Sequence, residues 1–477
     1  MKVCILQADY STTSVDYKNY DPPRDLLFLL QEHEVDHIFL NKLTTYKQLQ
    51  NLAKKNYDIF INLCEGYLDW EVPSIDVIHS LELLNLPYTG PSALLYDPSK
   101  ILMKYVADCA GVKTPNYFIV NNIEDVATGD LPISFPMFVK PSKAGDSLGI
   151  DDSSLVHDRK SLVKKISYLL PFYSDIMVEE YIAGREFTVL VSADPLSTND
   201  TKSYKPIEYI FPEGKEFKTY SLKTYDLHGE ANIPCNNPAL ESQLRKHSID
   251  IFKGFNGVGY ARLDFRVNEL NHVYFLEINF TCSVFYKDGY EGSADYILKH
   301  DPDGQRGFLL HIIKEGIHRH QLKQKKYQLL RNSISGYGIY ARQDIMQGDI
   351  IFQGEGRPQR IISKKYMEEH WTEEEKKVFK NYAYPISNEV YILWDSDPKE
   401  WAPQNHSCMA NCHYEGLNVV ASVPIKAGEE LTLDYSYLLN DYAESFDCTC
   451  NTSKCKGKIQ GKKNNSISTQ NLPKAKT

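Results

Sequence analysis

Short apolar runs alternate with amphipathic stretches from the start of the chain. KVCILQA, HIFL and DIFIN are apolar runs of strand length, and YKQLQNLAKK and IDVIHSLELL carry helical spacing. Strand–helix alternation of this kind predicts a parallel sheet in an α/β layer. From about Pro132 the strands lengthen and pair across turns, in FPMFVKP, DIMVEEYI, REFTVLVSA, YARLDFRV and HVYFLEINF. This predicts an α+β region, ending near DYILKHDPDG and a helix through LLHIIKEGIHRH. HRHQLKQKK at 318–326 has the composition of a linker. Beyond it the texture changes to short strands, glycines and aromatic segments, a mainly β pattern that runs to about Tyr442. No internal repeat joins the two halves. The expected division is an α/β lobe at 1–92, an α+β domain at 93–317, the linker at 318–326, a mainly β domain at 327–442, a cysteine-bearing segment at 443–461 and a disordered tail at 462–477.

Composition narrows the class. The 477 residues are 42% hydrophobic and 24% charged, values of an ordinary globular protein, which excludes wholesale disorder and fibrous classes. No uninterrupted apolar run approaches the roughly 20 residues that cross a bilayer. The opening MKVCILQADYST has no long apolar region before a cleavage site, so an intracellular protein, cytoplasmic or nuclear, is expected. A net charge of −10 gives the whole chain no general attraction to nucleic acid or an anionic membrane, and neither is an expected partner.

The ten cysteines change the picture most. Cys4, Cys64, Cys109, Cys235 and Cys282 are scattered, as reduced buried thiols are. Cys408, Cys412, Cys448, Cys450 and Cys455 crowd into the last part of the chain, a pattern that points to a metal site rather than a disulfide framework.

In the first half, VKPSKAGDSLGI places Lys140 at a strand end before a small-residue loop with Gly145, Ser147 and Gly149. Such a loop lets backbone N–H groups approach phosphate oxygens, although Gly/Ser loops also make plain turns. LDFRVNELNHVYFLEINF reads as a hairpin with Asp264 on one strand and Glu277 and Asn279 on the other. Residues 277 and 279 share a face because strand side chains alternate, and Asp264 can lie opposite them. Two carboxylates and an amide oxygen among apolar residues suit Mg²⁺, the alternative being the polar outer face of an ordinary hairpin.

The order of NLPYTGPSALLYDPSKILMKYVADCAGVKTPNYFIV, FPMFVKPSKAGDSLGI, MVEEYIAGREFTV and GYARLDFRV…FLEINF resembles the ATP-grasp superfamily, in its D-alanine–D-alanine ligase branch, over about residues 1–310. The resemblance implies an ATP- and Mg²⁺-dependent carboxylate–amine ligase acting through an acyl-phosphate, with a small amino acid or peptide as substrate. By the same resemblance Lys100 and Lys140 would contact ATP phosphate and adenine. Glu179 would face the adenine amino group, Glu186 the ribose hydroxyls, and Ser147 and Lys223 would be further nucleotide contacts. Asp264, Glu277 and Asn279 would hold Mg²⁺, and Arg262 would stabilise charge on the acyl-phosphate and tetrahedral species. Two pocket segments depart from the family: Phe280-Thr281-Cys282-Ser283-Val284 stands for Thr-Ser-Pro-Gly-Met, and Asn62-Leu63-Cys64-Glu65-Gly66 has a glutamate in place of the histidine. Both segments shape the family's amino-acid pocket, so D-alanine itself is not the expected substrate, while the ATP and Mg²⁺ positions are kept.

In the second half, Cys448-Thr-Cys450-x4-Cys455 supplies three thiolates, so a tetrahedral Zn²⁺ site needs a fourth ligand, and Cys408 and Cys412 are available. Together, GYGIYA, Asn405-His406-Ser407-Cys408, Glu430-Leu431-Thr432-Leu433-Asp434-Tyr435 and the cysteine segment resemble a SET domain with a post-SET zinc segment. The resemblance implies methyl transfer from S-adenosylmethionine to a lysine of a protein or peptide. Gly336, Tyr337, Gly338, Asn405 and His406 would bind that cofactor, Tyr435 would be the catalytic tyrosine, and Cys408 would join Cys448, Cys450 and Cys455 on Zn²⁺, leaving Cys412 free. Leu433 stands where the family carries a Phe or Tyr that tunes the number of methyls added, so di- and trimethylation are expected not to be blocked. The combined expectation is a two-module enzyme. The alternative is that one module is catalytic and the other is a ligand- or peptide-binding regulatory domain.

Overall fold

The first apolar run forms β1 (Lys2–Ala8), buried after its first residue on both faces, as a strand covered from two sides requires. It is the centre of a parallel sheet in the order β2–β1–β3, with β2 at Glu34–Leu40 and β3 at Ile59–Asn62. The two expected helices form at Thr45–Ala53 and Ile75–Leu83, and Leu49, Leu52, Val77, Ile78 and Leu81 close one face over Cys4, Leu6 and Phe60. The computed structural model describes the chain except for residues 12, 14–20, 67–70, 144–147, 197–199, 218–230, 333–335, 355–358, 395–403, 441 and 462–477. The tail expected at 462–477 therefore lies outside the described residues. The chain divides into two compact units, Met1–Lys323 and Gln324–Thr477.

Two antiparallel sheets complete the first unit. One has the order β4–β7–β5–β6, with β4 at Tyr117–Val120, β5 at Met137–Pro141, β6 at Leu155–Val156 and β7 at Ile176–Glu180. The Arg159–Leu169 helix backs it with Leu162, Ile166 and Leu169 against Val139 and Val178, and Asp158 caps that helix by accepting from Ser161 N at 2.7 Å. The other sheet is built on β8 (Arg185–Ala193), β9 (Thr201–Ser203), β10 (Ile207–Tyr209), β11 (Asn232–Pro234), β12 (Tyr260–Val267) and β13 (Val273–Asn279). Its order is β11–β10–β8–β12–β13, with β9 beside β8. The Pro238–Gly254 helix starts on an Asn237 cap with proline at its first position and buries Leu240, Leu244, Ile251 and Phe252 against this sheet. Between β7 and β8 the chain turns at Gly184 (φ +133°), where a Cβ would lie 2.2 Å from the Val267 carbonyl oxygen, so only glycine fits.

The stretch expected as a linker is helical for most of its length. The Gly304–Lys323 helix continues through HRHQLK, which contains no glycine or proline to stop it, and three residues remain before β14 (Tyr327–Asn332). Its polar composition is that of the last turns of a helix whose Phe308, Leu309, Ile312 and Ile313 are in the core. No helix among the described residues is long and apolar enough to cross a membrane.

The second unit is mainly β, as expected. β14 pairs with β15 (Gly336–Ala341), and β16 (Ile350–Phe352), β22 (Asn418–Ala421) and β21 (Cys412–Glu415) form a sheet in the order β16–β22–β21. β17 (Gln359–Ser363), β19 (Val390–Trp394) and β18 (Tyr384–Pro385) form another, in the order β17–β19–β18. Two short helices, Lys364–His370 and Glu373–Tyr382, occupy the acidic stretch between. A two-residue parallel pairing of β20 (Asn405–His406) with β23 (Thr432–Leu433) brings the two motif segments of this half side by side. Ile339, Ile351, Phe352, Val419, Leu431 and Leu433 form the core beneath them.

Candidate active sites

In the first unit the β12–β13 hairpin pairs Arg262 with Asn279 and Asp264 with Glu277, with a bulge immediately after Asp264. The turn that joins the strands closes on the Asn268 side chain, which accepts from Leu270 N and His272 N. Asn279 Nδ2 lies 3.4 Å from Glu277 Oε1, and Arg262 Nη2 lies 3.1 Å from Asp264 Oδ2. The three expected oxygen donors are thus brought to one place with a guanidinium beside them. The donor set is all hard oxygen and fits Mg²⁺. Lys100 reaches the same group, its Nζ 3.7 Å from Glu277 Oε2. Burial lowers Lys100, opposed by the Glu277 carboxylate.

A cleft is lined by Lys140, Glu179, Glu186, Asp264 and Glu277 among apolar walls that include Phe138, Ile182 and Leu276. β7 supplies Glu179 and β8 supplies Glu186. Glu179 Oε1 pairs with Lys140 and Oε2 lies 2.8 Å from Lys104 Nζ. Burial alone would push Glu179 up, but the Lys104 and Lys140 ammonium groups outweigh it and hold the carboxyl at about 2. Glu186 pairs with Arg266 Nη2 at 3.3 Å. Ser147 and Lys223 lie outside the described residues.

The two departing pocket segments meet each other. Glu65 accepts from Arg24 Nη1 at 2.8 Å and from Ser283 Oγ at 2.5 Å. Arg24 is buried, donates to the Leu63 and Val284 carbonyls, and lies over the Tyr286 ring. Tyr286 OH donates to Asp21, which is 3.1 Å from Arg24 Nη2. Burial raises Glu65, with Arg24 opposing. The glutamate at 65 is therefore paired with a buried arginine, and the pair ties both segments to the chain between β1 and β2.

In the second unit Asn405 Nδ2 donates to the Tyr337 carbonyl at 2.9 Å and to Glu430 Oε1 at 2.7 Å. This joins β20 to the glycine-flanked Tyr337, between Gly336 and Gly338 in β15. Tyr435 N donates to His406 Nδ1 at 3.1 Å, and the Tyr435 hydroxyl donates to the Gln404 carbonyl. Burial raises Tyr435 to about 12, so its hydroxyl stays protonated at neutral pH. His406, Tyr435 and Phe446 pack as a ring cluster, with centroids 5.6–6.1 Å apart.

One Sγ each from Cys408, Cys448, Cys450 and Cys455 all lie within 4.8 Å of one another, and Cys408 Sγ is 3.8 Å from Cys448 Sγ. Ligands about 2.3 Å from a tetrahedral Zn²⁺ stand about 3.8 Å apart, so the cluster fits that ion. Cys412 is buried in β21 and is not part of it.

Sequence reasoning missed Lys104, Arg266, Arg24 and Lys456. Lys104 stands one helical turn after Lys100, and that spacing alone could have placed it on the same face. Lys456 Nζ donates to Asp434 Oδ2 at 2.8 Å, tying the cysteine segment to the turn that carries Tyr435, and nothing in its type or spacing marks it.

Residues 110–284 match the family model described as D-ala D-ala ligase C-terminus, and residues 336–436 match that of the SET domain. The first unit thus matches a D-alanine–D-alanine ligase family model and the second a SET domain family model. ATP and Mg²⁺ serve the first class and S-adenosylmethionine the second. The D-alanine–D-alanine ligase B of Clostridium tetani is 32% identical over 229 residues, 45% of this chain and 61% of that protein. The D-alanine–D-alanine ligase of Acetivibrio thermocellus is 32% identical over 246 residues, 49% of this chain and 62% of that protein. The chain thus spans about three fifths of the length of these curated relatives. The crystal structure of the Bacillus anthracis D-alanine–D-alanine ligase complexed with ATP aligns with 68% of this chain and 100% of its own, at 19% identity and a TM-score of 0.49.

Proposed function

We propose that the Met1–Lys323 unit ligates a carboxylate to an amine at the expense of ATP, and that the Gln324–Thr477 unit methylates lysine in a protein or peptide. The lobes would lie at 1–92 and 93–317, the SET domain at 327–442 and the zinc segment at 443–461. The observation that carries the ligase reading is the single cleft where Lys140, Glu179, Glu186, Asp264 and Glu277 converge.

There Glu179 would accept from the adenine amino group and Glu186 from the ribose hydroxyls. Lys100 and Lys140, with Ser147 and Lys223, would meet the phosphates. Asp264, Glu277 and Asn279 would hold Mg²⁺, which when bound offsets phosphate charge. A carboxylate is a poor acyl donor until phosphorylated. In this reading it takes the terminal phosphoryl group of ATP with release of ADP, and the amine then attacks the acyl carbon and expels phosphate. Arg262, beside Asp264, would stabilise the negative charge of the attacked acyl group. The Arg24–Glu65–Ser283 bridge stands where the ligase family shapes its amino-acid pocket, which supports a substrate other than D-alanine.

In the SET unit Tyr337, between Gly336 and Gly338, would line the cofactor site with Asn405 and His406. The Tyr435 hydroxyl, donating to a carbonyl rather than ionised, would orient the methyl donor and the incoming uncharged lysine amine. Leu433 is buried and has no hydroxyl to hold a water, so more than one methyl can be added. Cys408, Cys448, Cys450 and Cys455 would hold Zn²⁺. None of the ten cysteines is in a disulfide, which suits a reducing compartment, cytoplasmic or nuclear.

The test is a crossover. Tyr435→Phe should lower methyl transfer about 100-fold and leave ATP-dependent phosphate release intact, and Asp264→Asn should do the reverse. Phosphate release is screened over amino acids and dipeptides, and methyl transfer is followed from labelled S-adenosylmethionine onto cell-extract proteins. One substitution removing both activities would contradict two separate catalytic modules.

A further inference from the structure

Lys104 is fully buried, one turn along the Lys100–Cys109 helix from Lys100, with nothing in the proposed reaction to do. Its Nζ is 2.8 Å from Glu179 Oε2, and the two side chains are 2% and 4% exposed. It also donates to the Pro115 carbonyl at 3.4 Å and stands 5.2 Å from the centroid of the Tyr117 ring. Burying an ammonium group is costly unless a partner holds it, and here the partner is a carboxylate on the wall of the cleft.

Glu179 is shared. Lys140 holds one oxygen and Lys104 the other. A ligand phosphate competes for Lys140, which lines the cleft, but not for Lys104, which does not. Once Lys140 turns to a phosphate, Lys104 is the cation left to keep Glu179 an acceptor. The walls beside Glu179, with Pro115, Phe138, Ile150, Ile182 and Leu276, are apolar and suit a flat base. A carboxylate there accepts from the 6-amino group of adenine and repels the 6-oxo group of hypoxanthine. A neutral carboxyl could donate to that oxo group instead and would lose the distinction.

We propose that Lys104 is a positioning residue that holds the Glu179 carboxylate as the acceptor for a purine amino group, and so sets the preference for adenine over a 6-oxo base. This rests on the nucleotide reading of the same cleft. It assigns to a buried lysine outside the cleft lining control over which base is accepted.

The full chain is titrated with ATP·Mg²⁺ and with ITP·Mg²⁺ by equilibrium dialysis, and the ratio of the two affinities is taken on one sample so that the folded fraction cancels. Lys104→Met should lower the ATP-over-ITP ratio about tenfold, and Lys104→Arg, which keeps the charge, should restore most of it. Glu179→Gln should lower the ratio as well, and adding Lys104→Met to it should change the ratio no further. That double variant removes both charges of the Lys104–Glu179 pair and leaves only Lys140, which lines the cleft, without its carboxylate, so it also serves if Lys104→Met alone does not accumulate. A Lys104→Met ratio equal to wild type, or a further fall in the double variant, would overturn the proposal. Failure of the wild-type chain to bind either nucleotide would instead overturn the nucleotide reading, a result distinguishable from the first.

Discussion

Arg24 makes the residue-scale point most clearly. Its guanidinium is 1% exposed and serves Glu65, the Leu63 and Val284 carbonyls and the face of Tyr286. Removing one partner of such a pair strands the other as a buried charge, which costs about 3–5 kcal/mol. Arg24→Met should therefore destabilise the chain by about that amount in urea unfolding, and the pair Arg24→Met/Glu65→Gln should recover much of it. A loss under about 1 kcal/mol for the single variant would show that the bridge is not structural. None of this was legible in the sequence. Glu65 was visible as a departure from a motif, but Arg24 lies 41 positions before it and Ser283 lies 218 after it, and no local pattern links them. The grouping of Asp264, Glu277 and Asn279 was legible for the opposite reason: Glu277 and Asn279 are two apart on a strand and Asp264 is across a short turn, so periodicity alone placed them together.

At the scale of elements, the apolar runs read as strands formed strands, because each is long enough to be buried on both faces or paired along its length. Most of the stretch at 318–326 is helical despite a linker's composition: a polar helix end and a linker share that composition, and only packing of the preceding turns separates them. The two helices at Lys364–His370 and Glu373–Tyr382 lie in an acidic stretch of the chain. Their helical signal sits in Ser363 and Thr372 caps rather than in an apolar stripe. The cysteine segment is the element with least packing of its own. β24 (Phe446–Asp447) and β25 (Lys458–Ile459) pair over only two residues each, and Ile459 is its buried anchor. Metal binding supplies folding free energy to such a segment. Chelation of Zn²⁺, or Cys450→Ser, should therefore lower the unfolding temperature of the second unit and abolish methyl transfer, read by calorimetry and the labelled-methyl assay. The first unit's transition should not move. Unchanged calorimetry after complete metal removal would rule out a structural zinc.

At the scale of the molecule, the sequence carried the division into two halves, and the boundary falls inside the stretch that looked different in composition. The class of each half was legible because several spaced motifs occur together, whereas the pocket that chooses the ligase substrate was not. That pocket depends on contacts between segments far apart in the chain, which spacing does not encode. The central claim is that one chain holds two cofactor sites, each with its own fold. A ligand that binds only the native state raises its stability, by about 2.7 kcal/mol at a hundredfold excess over its dissociation constant. The most direct measurement is differential scanning calorimetry of the full chain with ATP·Mg²⁺, with S-adenosylmethionine, and with both. The account predicts that each ligand raises a different transition and that the two shifts are independent. Glu277→Gln should remove only the first shift and Asn405→Ala only the second. Both ligands moving the same transition, or either substitution removing both shifts, would contradict it.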